Sequence, residues 1–259
     1  MDEPILYAVA DHVATITLNR PERRNAMDLV GYRKLCDAIR RAAGDPDVRC
    51  LILTGTDPAF CAGDDIAMLA GEGRPSDGDG TPLPLELPAG VLRRCSKPVI
   101  AAVNGPAVGY GVQILALSDF RFAAEEATFG AVYIKRSLVA PADSWERLPG
   151  IVGPEAAAEL LLTGDVIDAE RALEIGLVSR VLPNGGLLAA ARDLAARLSR
   201  NPPLAVQAAK AAMLLARKGD RKVLCDHINA ATAELHATRD FEESIRSFRE
   251  HRDPVFEGR

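Results

Sequence analysis

The sequence predicts an α/β chain that ends in a helical region, on three observations. Two strand–glycine turn–helix units occur, within residues 50–69 and residues 97–123. Short apolar runs rich in β-branched residues recur before them and read as buried strands. From Leu187 onward the apolar spacing becomes helical.

The elements follow in order. Residues 5–9 and 13–18 predict two strands joined by a turn at Asp11 and His12. Residues 19–26, N-R-P-E-R-R-N-A, form a proline-broken loop with three arginines. It reads as a solvated loop or as a cationic rim for a phosphorylated ligand. A helix is expected from near Asp28, with Val30, Leu35, Ala38, Ile39 and Ala42 on one face, ending at Gly44. Residues 50–54 read as a buried strand, and residues 55–58 turn. In residues 59–69, A-F-C-A-G-D-D-I-A-M-L, Gly63 breaks the chain before a helix-like run. Asp64 and Asp65 stand where the first helical N–H groups lack partners. An aspartate there reads as a helix cap, or the Asp64 N–H reads as a donor to a ligand. Residues 72–90, rich in Gly, Pro and Asp, predict a mobile loop near the site mouth.

Residues 99–103 predict a buried strand broken by Asn104, Gly105 and Pro106. Gly109 and Gly111 flank Tyr110, and residues 112–117 have the apolar run of a buried helix. Such a turn directs backbone N–H groups and the positive helix end at one point. That point suits an anion or a carbonyl oxygen gaining charge. The spacing G-x-x-x-G-x-G is not the dinucleotide fingerprint, and no G-K-[ST] follows. A tight connection without a ligand is the plain alternative. The Gly63 turn upstream supplies a second donor, so the N–H groups of Asp64 and Tyr110 together predict an oxyanion hole.

Residues 127–134 are expected to hold a short strand, and residues 135–153 a loop with a short helix. Asp168 caps a helix through Leu173 that stops at Gly176, and residues 177–182 close the core. Residues 187–198, 203–218 and 223–251 predict three helices. Met213, Leu214 and Leu215 read as core or subunit interface. His227 and His236 are too far apart for a one-face metal pair, and no metal site is expected. Arg246, Arg249 and Arg252, at i, i+3 spacing, read first as a solvated face and second as a phosphate contact.

Composition bounds the function. With 48% hydrophobic and 26% charged residues the chain is an ordinary globular one. A net charge of -5 without a long basic run argues against nucleic acid. The five cysteines are scattered without C-x-x-C and read as small buried hydrophobes in a reducing compartment. No apolar run reaches membrane-spanning length, and Asp2 and Glu3 stand where a signal peptide would be basic. The cytoplasm is the expected location, with no membrane partner.

N-R-P-x-x-x-N-A at residues 19–26, A-F-C-A-G-x-D at 59–65 and K-P-V-I-A-A-V-N-G-P-A-x-G-x-G at 97–111 resemble the crotonase superfamily, the enoyl-CoA hydratase/isomerase family. So do S-D-F-R-F-A at 118–123 and L-L-T-G-D-x-I-D-A-E-x-A-L-x-I-G-L-V-S-R-V at 161–181. The resemblance implies a crotonase-like spiral of ββα units with a helical C-terminal region. Residues 1–200 would be the core with an acyl-CoA site, and residues 201–259 a trimerisation region of a homotrimer or homohexamer. It implies an acyl-CoA ligand and no cofactor beyond its CoA moiety. Asp64 and Tyr110 fall on the oxyanion donors. Arg23, Arg24, Ala62, Gly63 and Asp64 fall on segments that hold the CoA adenine and phosphates. Tyr110 replaces a glycine, and its bulk is expected to narrow or reshape the pocket.

The resemblance also places two catalytic glutamates at Gln113 and Tyr133, and an isomerase-type carboxylate at Pro141. All three positions lack a carboxylate. Gln113 can hold a water but accepts no proton near neutral pH. A tyrosine ordinarily titrates near pH 10, so Tyr133 is a poor base. Asp143 is the first candidate to move a proton, with a helix cap as its other reading, and Tyr133 is the second, as an acid or orienter. Two functions follow. One is an atypical enzyme of a CoA thioester. The other is a carrier, sensor or scaffold that binds acyl-CoA without turning it over.

Overall fold

The structure, a computed structural model, describes residues 3–70 and 87–259. Strands β1 (Ile5–Ala10) and β2 (Val13–Leu18) form a hairpin whose two loop residues, Asp11 and His12, both have positive φ, the conformation that matches strand twist. The Asp28 carboxylate caps α1 (Leu29–Gly44) by accepting the Gly31 N–H at 2.7 Å. Then come β3 (Cys50–Gly55), α2 (Ile66–Leu69), α3 (Pro88–Arg94), β4 (Val99–Val103), β5 (Ala107–Val108) and α4 (Tyr110–Leu117). After β6 (Phe120–Ala124) and β7 (Thr128–Gly130), a 3-10 turn spans Val132–Arg136. Helices α5 (Ala142–Val152) and α6 (Pro154–Ala158) and a π-helical turn at Glu159–Thr163 lead to β8 (Val166–Asp168), α7 (Ala169–Glu174) and β9 (Arg180–Leu182). Four helices complete the chain: α8 (Asn184–Ser199), α9 (Pro203–Ala216), α10 (Arg221–His236) and α11 (Arg239–Glu250).

Six strands form the main sheet in the order β1-β2-β3-β4-β6-β9, antiparallel only at β1–β2. A second sheet runs β5-β7-β8, and Cys61 adds to its edge through a parallel bridge to Ala107. Each turn of chain thus lays a strand in the main sheet, touches the second sheet and returns by a helix, which makes the spiral. Both faces of the main sheet are covered. Leu51, Leu53, Val99, Ala101 and Val103 face the larger core, while Cys50, Ile52, Ile100, Ala102 and Phe122 pack against Leu187, Ala191 and Ala195 of α8. Period-two alternation with both faces buried explains the unbroken apolar runs. Cys36, Cys50, Cys61 and Cys95 are buried, and burial pushes the thiols of Cys50 and Cys61 up to about 12.

Several expectations are corrected. Val30 is exposed, and Tyr32 and Cys36 complete the buried face of α1 with Leu35, Ala38, Ile39 and Ala42. Residues 72–86 of the expected mobile loop lie outside the described residues, but Gly90 belongs to α3 because Pro88 suits a first helical turn. Residues 142–152 form three turns of helix that accommodate Pro149. The expected last helix is two, because Thr238 restarts the chain by accepting the Phe241 N–H at 3.1 Å. Arg252 lies past the end of α11, and both it and Arg246 pair with Glu243. Met213 is exposed, and Leu214 and Leu215 are half-buried, so none is monomer core. What ties α9 to the sheet is Lys210, whose Nζ reaches Asp119 at 2.7 Å and the Lys97 carbonyl at 2.8 Å. Among the described residues no helix is long and apolar enough to cross a membrane.

Candidate active site

The site is assembled by register between successive turns of the spiral. Cys61 pairs with Ala107, and Ala107 with Phe129, all in parallel. The Val108 N–H donates to the Cys61 carbonyl at 2.8 Å, and the Gly109 N–H to the Gly130 carbonyl at 2.8 Å. Two residues further along that register, Gly63 stands beside Gly109 and the Tyr110 N, and Asp64 follows it in the chain. A Cβ on Gly63 would lie 3.7 Å from Gly109 Cα and 3.6 Å from Tyr110 N. Both glycines have positive φ, 94° and 54°, which ends each strand abruptly. Met27 closes the group from the first turn of the spiral, its N–H donating to the Gly63 carbonyl and its carbonyl accepting from Asp65 N, each at 2.8 Å. Among the described residues, neither the Asp64 nor the Tyr110 N–H donates to a backbone or side-chain acceptor. Two main-chain donors therefore stand side by side unspent, one of them on the first residue of α4, where the helix end adds positive potential.

The side chains differ from expectation. Tyr110 does not fill the pocket. It is 2% exposed, with its ring edge-on to Tyr32 at 4.9 Å and its hydroxyl accepting the Ala89 N–H at 2.9 Å. That N–H lies in the first turn of α3 and has no helical partner, so Tyr110 supplies a cap across the fold. The cap of α2 is Asp65, which accepts from Ala67 N at 3.1 Å. Asp64 instead accepts a short hydrogen bond from the Tyr32 hydroxyl. Burial raises the Asp64 pKa, with the Tyr32 bond opposing it. Sequence reasoning passed over Tyr32. The available signal was a tyrosine on the apolar stripe of α1, whose hydroxyl must find a partner.

Gln113 and Asp143 meet beyond the donors. Gln113 Nε2 donates to Asp143 Oδ2 at 3.2 Å, and Arg93 makes a short ion pair with Oδ1. Asp143 makes no capping bond to α5, whose N-cap is Pro141. Gln113 Oε1, the Tyr133 hydroxyl and the Ser144 hydroxyl are buried without a hydrogen-bond partner. Burial, then the charge of Asp64, hold the Tyr133 hydroxyl protonated far above its usual range. Unpaired buried polar atoms are costly, so each of these is a candidate contact for a ligand or water.

On the outer side, Arg20, Arg23, Asp28, Val30, Asp65 and Met68 line a pocket of about 440 Å³. This is where the exposed Val30 goes. Arg20 is held by Asp28 at 3.2 Å and Asp65 at 3.3 Å. Arg23 and Arg24 are exposed, and Ala62 N donates to the Arg24 carbonyl at 3.0 Å, which joins this loop to the donor turn.

Residues 9–259 match the model of the family described as enoyl-CoA hydratase/isomerase. The chain is 38% identical to an enoyl-CoA hydratase of Mycobacterium tuberculosis over 96% of this chain and 94% of that one. It is 34% identical to the (E)-benzylidenesuccinyl-CoA hydratase of Thauera aromatica over 98% and 99% of the two. A solved enoyl-CoA hydratase structure from Mycobacterium tuberculosis superposes with a TM-score of 0.89 at 35% identity, covering 100% of both chains.

Proposed function

The chain belongs to the enoyl-CoA hydratase/isomerase family, and from that footing we propose that it processes acyl-CoA thioesters, binding the thioester oxygen with the N–H groups of Asp64 and Tyr110. The observation that carries this reading is the pair of unspent amides set side by side by the Cys61–Ala107 bridge. Such donors act most strongly on an enolate-like oxygen that gains charge, each contributing about 2.7–4 kcal/mol to the transition state. Arg23, Arg24, Ala62, Gly63 and Asp64 hold the CoA moiety, and Arg23 also lines the outer pocket.

The acid–base groups are non-standard. Asp143 takes one Gln113 donor, which leaves Oε1 free to accept from a water. The Tyr133 hydroxyl serves as a second contact for that water on the acyl side, and Asp143, bonded to the same Gln113, receives its proton. Residues 1–200 form the core that carries this site. Residues 201–259 serve as the trimerisation region of a homotrimer or homohexamer, since Met213, Ile228, Ile245 and Phe248 leave apolar surface unburied.

The experiment incubates wild type and Asp143→Ala with mixed enoyl-, dienoyl- and acyl-CoA thioesters and identifies the CoA products by mass spectrometry. The reading expects a hydrated or isomerised product from wild type and loss of it in the variant. Equal rates would remove Asp143 from the mechanism. Tight acyl-CoA binding with no product from any thioester would support instead an acyl-CoA carrier on the same fold, a reading motivated by the missing carboxylates at Gln113, Tyr133 and Pro141.

A further inference from the structure

We propose that Asp64 acts through its side chain as well as its main chain: its carboxylate takes the α-proton of the bound thioester and returns it, and Tyr32 is its positioning residue. The inference rests on the acyl-CoA reading above and names a catalytic group that reading lacks.

The tasks that would otherwise explain this aspartate belong to its neighbour. Asp65 caps α2 and pairs with Arg20, whose other partner is Asp28. Asp64 does neither. Its Oδ1 accepts from Tyr32, and among the described residues its Oδ2 has no partner, although the residue is half-buried. Covalent geometry then places that free oxygen. Four bonds separate a residue's Oδ from its own N, so the two stay within about 5 Å. A thioester oxygen held by the Asp64 N–H at about 2.9 Å brings the α-carbon, two bonds away, into the same neighbourhood. The carboxylate needs no other element to carry it to the reacting atom.

The surroundings favour the role. The titratable groups that feel the charge of Asp64 are Tyr32 from α1, Cys61 from the preceding bridge and Tyr133 from the 3-10 turn. Burial keeps all three protonated and neutral at neutral pH. Among the described residues no Lys or Arg pairs with Asp64. Burial therefore raises its proton affinity above that of a surface aspartate.

The step balances. The α-C–H bond breaks and its proton bonds to Oδ2. Its electron pair forms the double bond between the α-carbon and the carbonyl carbon, and the carbonyl π pair moves onto the thioester oxygen. Negative charge passes from the carboxylate to that oxygen, where the two amides stand, so the site's net charge is unchanged. The neutral acid then returns the proton to the α-carbon, or to the γ-carbon of a β,γ-unsaturated acyl group.

The test follows deuterium uptake from D2O at the α-carbon of hexanoyl-CoA, a saturated thioester, by mass spectrometry, with binding measured by calorimetry. Wild type is expected to exchange the α-protons. Asp64→Asn retains the main-chain donor, so it is expected to bind hexanoyl-CoA within threefold of wild type while exchange falls by about a hundredfold or more. Tyr32→Phe removes a donor to the charged carboxylate, which raises its pKa. The rate must rise at higher pH than in wild type. Exchange by Asp64→Asn at the wild-type rate, or no exchange by a wild type that binds hexanoyl-CoA, overturns the proposal. An unmoved acid limb in Tyr32→Phe overturns the role of Tyr32. Failure of wild type to bind hexanoyl-CoA at all would sink the acyl-CoA reading itself.

Discussion

Gly111 is where the two donor turns press closest together. A Cβ there would stand 2.5 Å from the Cys61 carbonyl oxygen and 3.2 Å from Cys61 Cβ. Neither the oxygen nor the helix backbone of α4 is a flexible tip. Restoring an ordinary 3.4 Å contact needs a relative movement of about 0.9 Å between the two segments. Gly111 directly follows Tyr110, and Cys61 lies three residues before Asp64. The movement therefore passes to the spacing of the two amides. It also strains the Val108 N–H to Cys61 carbonyl bond, now 2.8 Å. In Gly111→Ala, overpacking should cost about 1–3 kcal/mol of stability. Misplacing one donor by most of an ångström should cost about a hundredfold in kcat/KM, near the effect of deleting it. The assay pairs urea denaturation with kcat/KM on whichever thioester wild type turns over. A folded Gly111→Ala protein with kcat/KM within threefold of wild type would refute the argument that this contact sets the donor spacing.

Other consequences are open to simpler measurements. Asn25 sits at φ 57° with Nδ2 donating to the Thr56 and Ala59 carbonyls at 2.8 and 2.6 Å and Oδ1 accepting from Arg20 N at 2.8 Å. Asn25→Ala should lose about 2–4 kcal/mol in urea denaturation, since it strands buried backbone groups in a conformation alanine resists. A loss under about 1 kcal/mol would count against that hub. Tyr133→Phe removes a buried hydroxyl without a partner. The urea midpoint should hold or rise, by up to about 1 kcal/mol in stability, while kcat falls. Unchanged kcat would remove the hydroxyl from the mechanism. Arg252 first, then Arg246 and Val255 N, hold the Glu243 carboxyl well below its usual range. A depressed carboxyl stabilises the fold above the unfolded-state pKa, and the effect fades as pH falls toward the folded one. The Tm gap between wild type and Glu243→Gln should therefore be flat from neutral pH to about pH 5 and close below about pH 4. A gap that persists undiminished in acid would contradict this assignment.

Much of the spiral was legible because each element carries a local cause. The strands at Cys50–Gly55 and Val99–Val103 are apolar on both faces, and the caps at Asp28 and Asp168 sit next to the N–H groups they accept. Gly63 and Gly109 were legible as turns, because only glycine takes their backbone angles without strain. The misreadings arose where the cause was distant. Val30 has helical apolar spacing, but it faces the outer pocket. The break between α10 and α11 depends on a single threonine side chain.

By itself, the sequence determined the strand, turn and helix alphabet, the two donor turns, and the absence of carboxylates at Gln113, Tyr133 and Pro141. These are properties of neighbouring residues, and short-range sterics and hydrogen bonding suffice to express them. Only the tertiary structure decided where the side chains of the site point. It turned Tyr110 onto α3, joined Tyr32 to Asp64 across 32 residues of chain, and set Asp143 against Gln113 across 30. Those pairings depend on which buried polar tips the packing of α1, α3, α4 and α5 brings within hydrogen-bond reach, and no local pattern encodes that.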